Sequence, residues 1–211
     1  GVKGAYVGAG AMSLAVLIEA IATRMMVSSS LTNILKKEDT VNGNLRLRSI
    51  AKFYFPLALT SILSLGIHPF VTFFLGRSYM ALESLAVLPV VNSFVFIFRS
   101  PGLSFQEVNI ALIGKDRQNY RVLRNFAIFL AIIVTVLITV MAFTPLADLW
   151  FINVSGLSNE LADLAYLPLK ILILLPALTV LLNYQRSLLI INGNTGPISV
   201  ATAVELTGVI M

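Results

Sequence analysis

No cysteine occurs among the 211 residues, and His68 is the only histidine. The first absence excludes a disulfide framework and any thiolate metal site, and the second excludes a histidine-rich metal cluster within the chain. Charge is scarce as well: 12% of residues are charged against 57% hydrophobic, with a mean hydropathy of +0.89. That composition does not describe a soluble domain; it is that of a multi-spanning helical membrane protein. Also missing are the segments of about ten residues, alternating apolar and polar, that mark a transmembrane barrel. The expected class is all-α, a polytopic transmembrane helical bundle. The net charge of +5 resembles a nucleic-acid signature until the basic residues are located. They lie mainly in short loops, where they report topology, and no nucleic-acid partner is expected.

What the chain does have is long apolar runs. The longest, Met80 to Ile113, would reach roughly 50 Å as one helix, against a hydrocarbon core of about 30 Å. It carries Phe98-Arg99-Ser100-Pro101-Gly102 near its middle. Pro101 removes a backbone donor and Gly102 adds flexibility, so a break is expected beside Arg99. In lipid, freed backbone groups are tolerated only where protein or a water-filled cavity receives them.

Around this run the chain reads as a series of spans. Gly4 to Met26 is apolar, with a stripe of small residues suited to close helix packing and with Glu19 and Arg24 towards its end. Residues 27–48 form a polar, basic linker, in which Leu31, Ile34 and Leu35 share one face of a short amphipathic helix. Phe53 to Leu75 is a second span, with Pro56 in its first turns and a bend expected in its outer half at His68-Pro69, and Gly76-Arg77-Ser78 turns the chain back. Phe126 to Phe143 crosses without a charge, and the following loop, Leu146 to Asp163, carries only acidic charges, Asp148, Glu160 and Asp163. Ala162 to Ile191 reads as one long kinked helix, with two half-membrane segments as the alternative. A turn at Asn192 to Pro197 leads into a last, incomplete segment from Ile198. Both ends fall inside helices, as in a fragment of a longer protein. Basic residues gather at one set of helix ends, which puts the linker and the 114–124 loop in the cytoplasm and the 146–163 loop outside.

No catalytic constellation is present: His68 has no carboxylate at helical spacing, and Gly193-Asn194-Thr195-Gly196 lacks the lysine of a phosphate-cradling loop. The informative residues are polar groups inside apolar runs: Arg99, Gln106, Glu107 and Asn109 on the long run, Lys170, Asn183 and Arg186 on the fifth segment, and Glu205 on the last. Charges at such depth cost about 2.5–3.5 kcal/mol each, so they face a cavity or one another. Arg99 and Lys170 together would make a cavity positive and suit an anionic solute. A static lattice, Arg99 with Glu107 and Lys170 with Glu205, is the competing arrangement.

The order of elements resembles one lobe of the multidrug, oligosaccharidyl-lipid and polysaccharide exporter superfamily. The matching pieces are Gly1-Val2-Lys3-Gly4-Ala5 opening a helix that ends with Glu19 and Arg24, the basic linker, and the stretch from Leu174-Leu175-Pro176 to Ile191-Asn192-Gly193-Asn194-Thr195. Within it, His68-Pro69-Phe70-Val71, Glu83-Ser84-Leu85-Ala86-Val87-Leu88, Thr144-Pro145 and Leu167-Pro168-Leu169-Lys170-Ile171 are similar in order to the progressive-ankylosis-type transporters, with Lys170 in place of an arginine. The resemblance implies part of a two-lobe fold with six helices in each lobe: 1–26 as the last helix of the first lobe, 27–48 as the interlobe linker, and 49–211 as five helices of the second lobe, the last one cut short. It also implies efflux of anions such as pyrophosphate, citrate or nucleotides.

The resulting expectation is a multi-pass secondary transporter of the cell's inner or plasma membrane, working by alternating access, with no enzymatic activity, cofactor or metal. Arg99, Lys170, Asn183 and Arg186 are the substrate-binding candidates. Glu107, Glu205 and His68 are the candidates for coupling to a proton or sodium ion. The expected partners are the solute, the bilayer and the missing first lobe. The alternatives are a flippase for a lipid-linked saccharide, a multidrug or cation antiporter, and a non-transporting scaffold or receptor subunit.

Overall fold

A computed structural model describes residues 4–35, 47–113 and 119–210. The linker residues 36–46 and residues 114–118 of the basic loop 114–124 lie outside the described residues. Every regular element among the described residues is helical: α1 (Gly4–Leu35), α2 (Leu47–Leu75), α3 (Ala81–Leu112), α4 (Tyr120–Phe143), the one-turn α5 (Leu146–Asp148), α6 (Asn159–Ile171), α7 (Leu175–Ile191) and α8 (Gly196–Ile210). Four stretches are long and apolar enough to cross a membrane: Ile50–Leu75, Ala81–Leu112, Tyr120–Phe143 and Asn159–Ile191. α1 and the 15-residue α8 are not among them.

The chain divides into two units, Gly1–Arg46 and Leu47–Met211. In the first, α1 continues past the apolar run that ends at Met26, through Ser28-Ser29-Ser30, to Leu35.

In the second unit the apolar stripes dictate the packing. α4 buries Leu123, Ala127, Ala131, Val134, Ile138 and Ala142, spaced by three or four residues on one face. α3 buries Val87, Val91, Phe94 and Val95 in its first half and Gly102, Phe105 and Asn109 in its second. Two clusters of buried side chains result, one joining Val91, Phe94, Ile138, Phe151 and Leu169, the other joining Phe105, Ile113, Leu123, Val134, Val180 and Tyr184. Arg99 falls on α3 between them.

The expected break at Pro101 does not occur, because α3 is continuous from Ala81 to Leu112. Pro101 cannot donate to the Ile97 carbonyl, and the Ser100 hydroxyl donates to it instead, at 2.9 Å. Gly102 is a contact point rather than a flexible joint: a Cβ there would lie 2.9 Å from Val180 Cγ2 and 3.0 Å from the Val180 backbone nitrogen. Its missing side chain lets α3 and α7 approach along parallel courses, with Arg99 beside Thr179 and Gly102 beside Val180.

The span from Asn159 to Ile191 is a single one, interrupted by a 3₁₀ turn at Leu172–Leu174. Pro176 has no N–H for the Leu172 carbonyl, and Leu175 N–H takes that carbonyl at the tighter spacing. The acidic loop expected over Leu146 to Asp163 is largely helical, with a π-helical turn at Leu149–Val154 that sinks Phe151 into the core beside Phe94. Its Leu, Trp and Phe content outweighs its charges.

α2 and α8 also run parallel, joined by hydroxyls. Thr195 donates to the Phe53 carbonyl (3.3 Å), Ser199 to the Pro56 carbonyl (2.6 Å), and Thr60 Oγ1 lies 3.2 Å from Ser199 Oγ. These contacts span over 130 residues of chain and close the bundle beside α7.

Candidate functional site

Three helices carry polar stripes at helical spacing within apolar sequence. On α2 the stripe is Thr60, Ser64 and His68; on α7 it is Thr179, Asn183 and Arg186; on α8 it is Ser199, Thr202 and Glu205. Each stripe steps by three or four residues, so each presents one face. Together with Arg99 of α3 these faces border a half-open cavity of about 350 Å³, lined by Ser64, His68, Arg99, Thr179, Asn183, Arg186 and Glu205 together with leucines of α3 and α7.

Arg99 is half-buried and donates through Nε to Thr179 Oγ1 at 3.0 Å. The Thr179 hydroxyl in turn donates to the Leu175 carbonyl at 2.8 Å, which orients its oxygen as an acceptor. Arg186, also half-buried, donates through Nη2 to Thr202 Oγ1 at 3.2 Å, and Thr202 donates to the Ile198 carbonyl. The two guanidiniums are thus set by the same device, a helix-anchored threonine on a neighbouring element. Glu205 acts electrostatically on both and is the one carboxylate in the lining. Two fixed positive groups against one negative leave the cavity positive.

Of the seven residues singled out by sequence, Arg99, Asn183, Arg186, His68 and Glu205 meet in this cavity. Lys170 and Glu107 do not. Lys170 is exposed, its Nζ 5.3 Å from the centroid of the Phe143 ring, so the pairing of Arg99 with Lys170 in one hollow is corrected. Lys170 precedes the 3₁₀ turn, which separates its face from that of Thr179, Asn183 and Arg186. Glu107 is exposed on α3 and lines no part of the cavity. Among the described residues no ion pair joins it to Arg99, nor Lys170 to Glu205, so the static lattice is absent as drawn. Arg186 is the second cation of the cavity.

Thr179, Ser64 and Thr202 were not singled out. Their signal was spacing: each extends a stripe whose charged or amide member was already visible. A second cavity, of about 1000 Å³, lies where the start of α2 meets the turn between α7 and α8, with Arg48, Lys52 and Asn194 in its wall. The Thr195, Ser199 and Thr60 hydroxyls lie along the α2–α8 seam between this cavity and the central one.

Comparison with protein-family models, with curated proteins and with solved structures finds no match to this chain. Among the described residues no group of His, Asp and Glu has the arrangement of a metal site.

Proposed function

We propose that the protein is a secondary transporter that carries a small anionic solute through the cavity between α2, α3, α7 and α8 by alternating access. The observation that carries this reading is that Arg99 and Arg186, on different helices, line one cavity in which Glu205 is the only carboxylate among the described residues. Charges inside apolar helices are expensive and normally compensate one another. An excess guanidinium held by threonines, without a carboxylate of its own, has the donor geometry to receive an anionic oxygen. Glu205 and His68, facing the same space, are the groups on which proton or sodium coupling would act. The sequence resemblance to the exporter lobe agrees with this reading, and so does the polar seam leading from the basic-end cavity. On this reading the protein is a multi-pass membrane protein with its basic helix ends in the cytoplasm, and the α2–α8 seam is the gate on that side.

The test is flux of labelled pyrophosphate, citrate and nucleotide in vesicles bearing the full-length protein, with and without an imposed ion gradient. R99Q and R186Q are expected to abolish flux of the transported anion while membrane insertion is retained. K170Q and E107Q, outside the cavity, are expected to leave it near the parent rate. Parent-level flux in both arginine variants would refute the assignment of the site.

A further inference from the structure

Asn109 is fully buried on α3, and neither its amide nitrogen nor its amide oxygen has a hydrogen-bond partner in the protein. A primary amide has two donors and an acceptor to satisfy, and burying all of them unpaired in an apolar core carries a large desolvation penalty. Natural cores avoid this, and an orphaned buried amide points to a bound molecule that supplies the missing bonds.

The surroundings identify that molecule. The Tyr184 hydroxyl of α7 is also buried; the Tyr120 hydroxyl is its nearest polar neighbour but makes no well-formed hydrogen bond with it, the two rings being tilted at 6.1 Å. Ser187, fully buried, lies on the same side of α7; its hydroxyl donates to the Tyr184 carbonyl, and its oxygen lone pairs remain to accept. The parallel register that sets Arg99 beside Thr179 and Gly102 beside Val180 brings Asn109 to the level of Ser187. One helical turn further on, Ile113 and Leu188 line a cavity of about 130 Å³, walled also by Tyr120, Ile191 and Asn192 at the basic end of the bundle. That volume exceeds what one water needs.

We propose that water is bound between α3, α4 and α7 at Asn109, Tyr184 and Ser187, and that it enters through the small cavity beside Tyr120. The site lies on the α4 side of the α3–α7 pair and shares no lining residue with the Arg99 cavity, so it stands whether or not the transport reading does. Water suits it because the unpaired groups are neutral and offer both donors and acceptors. A metal ion would meet no carboxylate among the residues lining the small cavity, and the cation that acts on Tyr184, Arg124, is exposed on α4 and outside that lining.

Hydroxyl-radical pulse labelling of the full-length protein in lipid nanodiscs tests this, since radiolysis of bound water oxidises the side chains around it. In N109L, and in the smaller N109V, Tyr184 labelling is expected to fall several-fold below the parent rate, while Phe94 and Phe151, in the other buried cluster, keep theirs. Undetectable Tyr184 labelling in the parent protein would overturn the proposal without recourse to any variant. So would parent-level Tyr184 labelling in either folded variant.

Discussion

Thr179 decides how Arg99 is held. Its hydroxyl is pinned to the Leu175 carbonyl and accepts Arg99 Nε at 3.0 Å, so the guanidinium has a fixed position inside an apolar helix pair. A hydrogen bond to a charged donor contributes about 1.5–3 kcal/mol, and a loss at the lower end of that range weakens binding about tenfold. T179V keeps the shape of the side chain and removes the acceptor. On the proposed transport reading it is expected to raise the half-saturating concentration of the anion about tenfold in vesicle flux, whereas T179S restores it; an unchanged value in T179V would mean that this bond does not position Arg99. At this scale the sequence marked the charged residues but not their company. Arg99 and Arg186 stood out because lone cations in apolar runs are costly. Thr179 and Thr202 did not, because a threonine inside a helix usually bonds its own backbone, as both also do here.

At the scale of single elements, the junction of α3 with α7 depends on Gly102. A methyl there would press to 2.9 Å on Val180 Cγ2 and 3.0 Å on the Val180 nitrogen, and the second of these atoms is backbone that no rotamer change can move. G102A is therefore expected to destabilise the protein by about 1–3 kcal/mol, the range for overpacking, and G102L by more. Thermal unfolding in detergent measures this, and V180A should recover only part of the loss because it relieves only the side-chain contact. Proline and glycine in the sequence suggested a break at this point. The structure instead places both in an unbroken helix, because Ser100 takes the carbonyl that Pro101 leaves and α7 occupies the space beside Gly102. The same reasoning separates Pro101 from Pro176, whose partner carbonyl at Leu172 is taken by Leu175 through a 3₁₀ turn. Which remedy a proline receives depends on its neighbours, and composition does not reveal it.

At the scale of the molecule, the four apolar stretches and the short connections between them set an alternating course. The turn after α2, at Gly76 to Met80, and the turn at Ser155 to Ser158 then lie at one end of the bundle, and Arg121 and Asn192 at the other. The chain has no cysteine of its own, so single substitutions S78C, S158C, R121C and N192C give clean labels. On the proposed orientation, an impermeant thiol reagent on sealed cells is expected to reach S78C and S158C from outside and R121C and N192C only after lysis; any mixing of the two pairs would refute the crossing pattern. The sequence alone determined the helical class, the long apolar stretches and most of the polar residues that meet in the cavity, because hydropathy and charge cost are properties of single residues and their spacing. Only the tertiary structure decided that Arg186 rather than Lys170 accompanies Arg99, that Glu107 stays outside, and that Asn109 is left without a partner. Those outcomes follow from the rotation and register of packed helices, which the contacts at Gly102 and along the α2–α8 seam set between residues far apart in the chain.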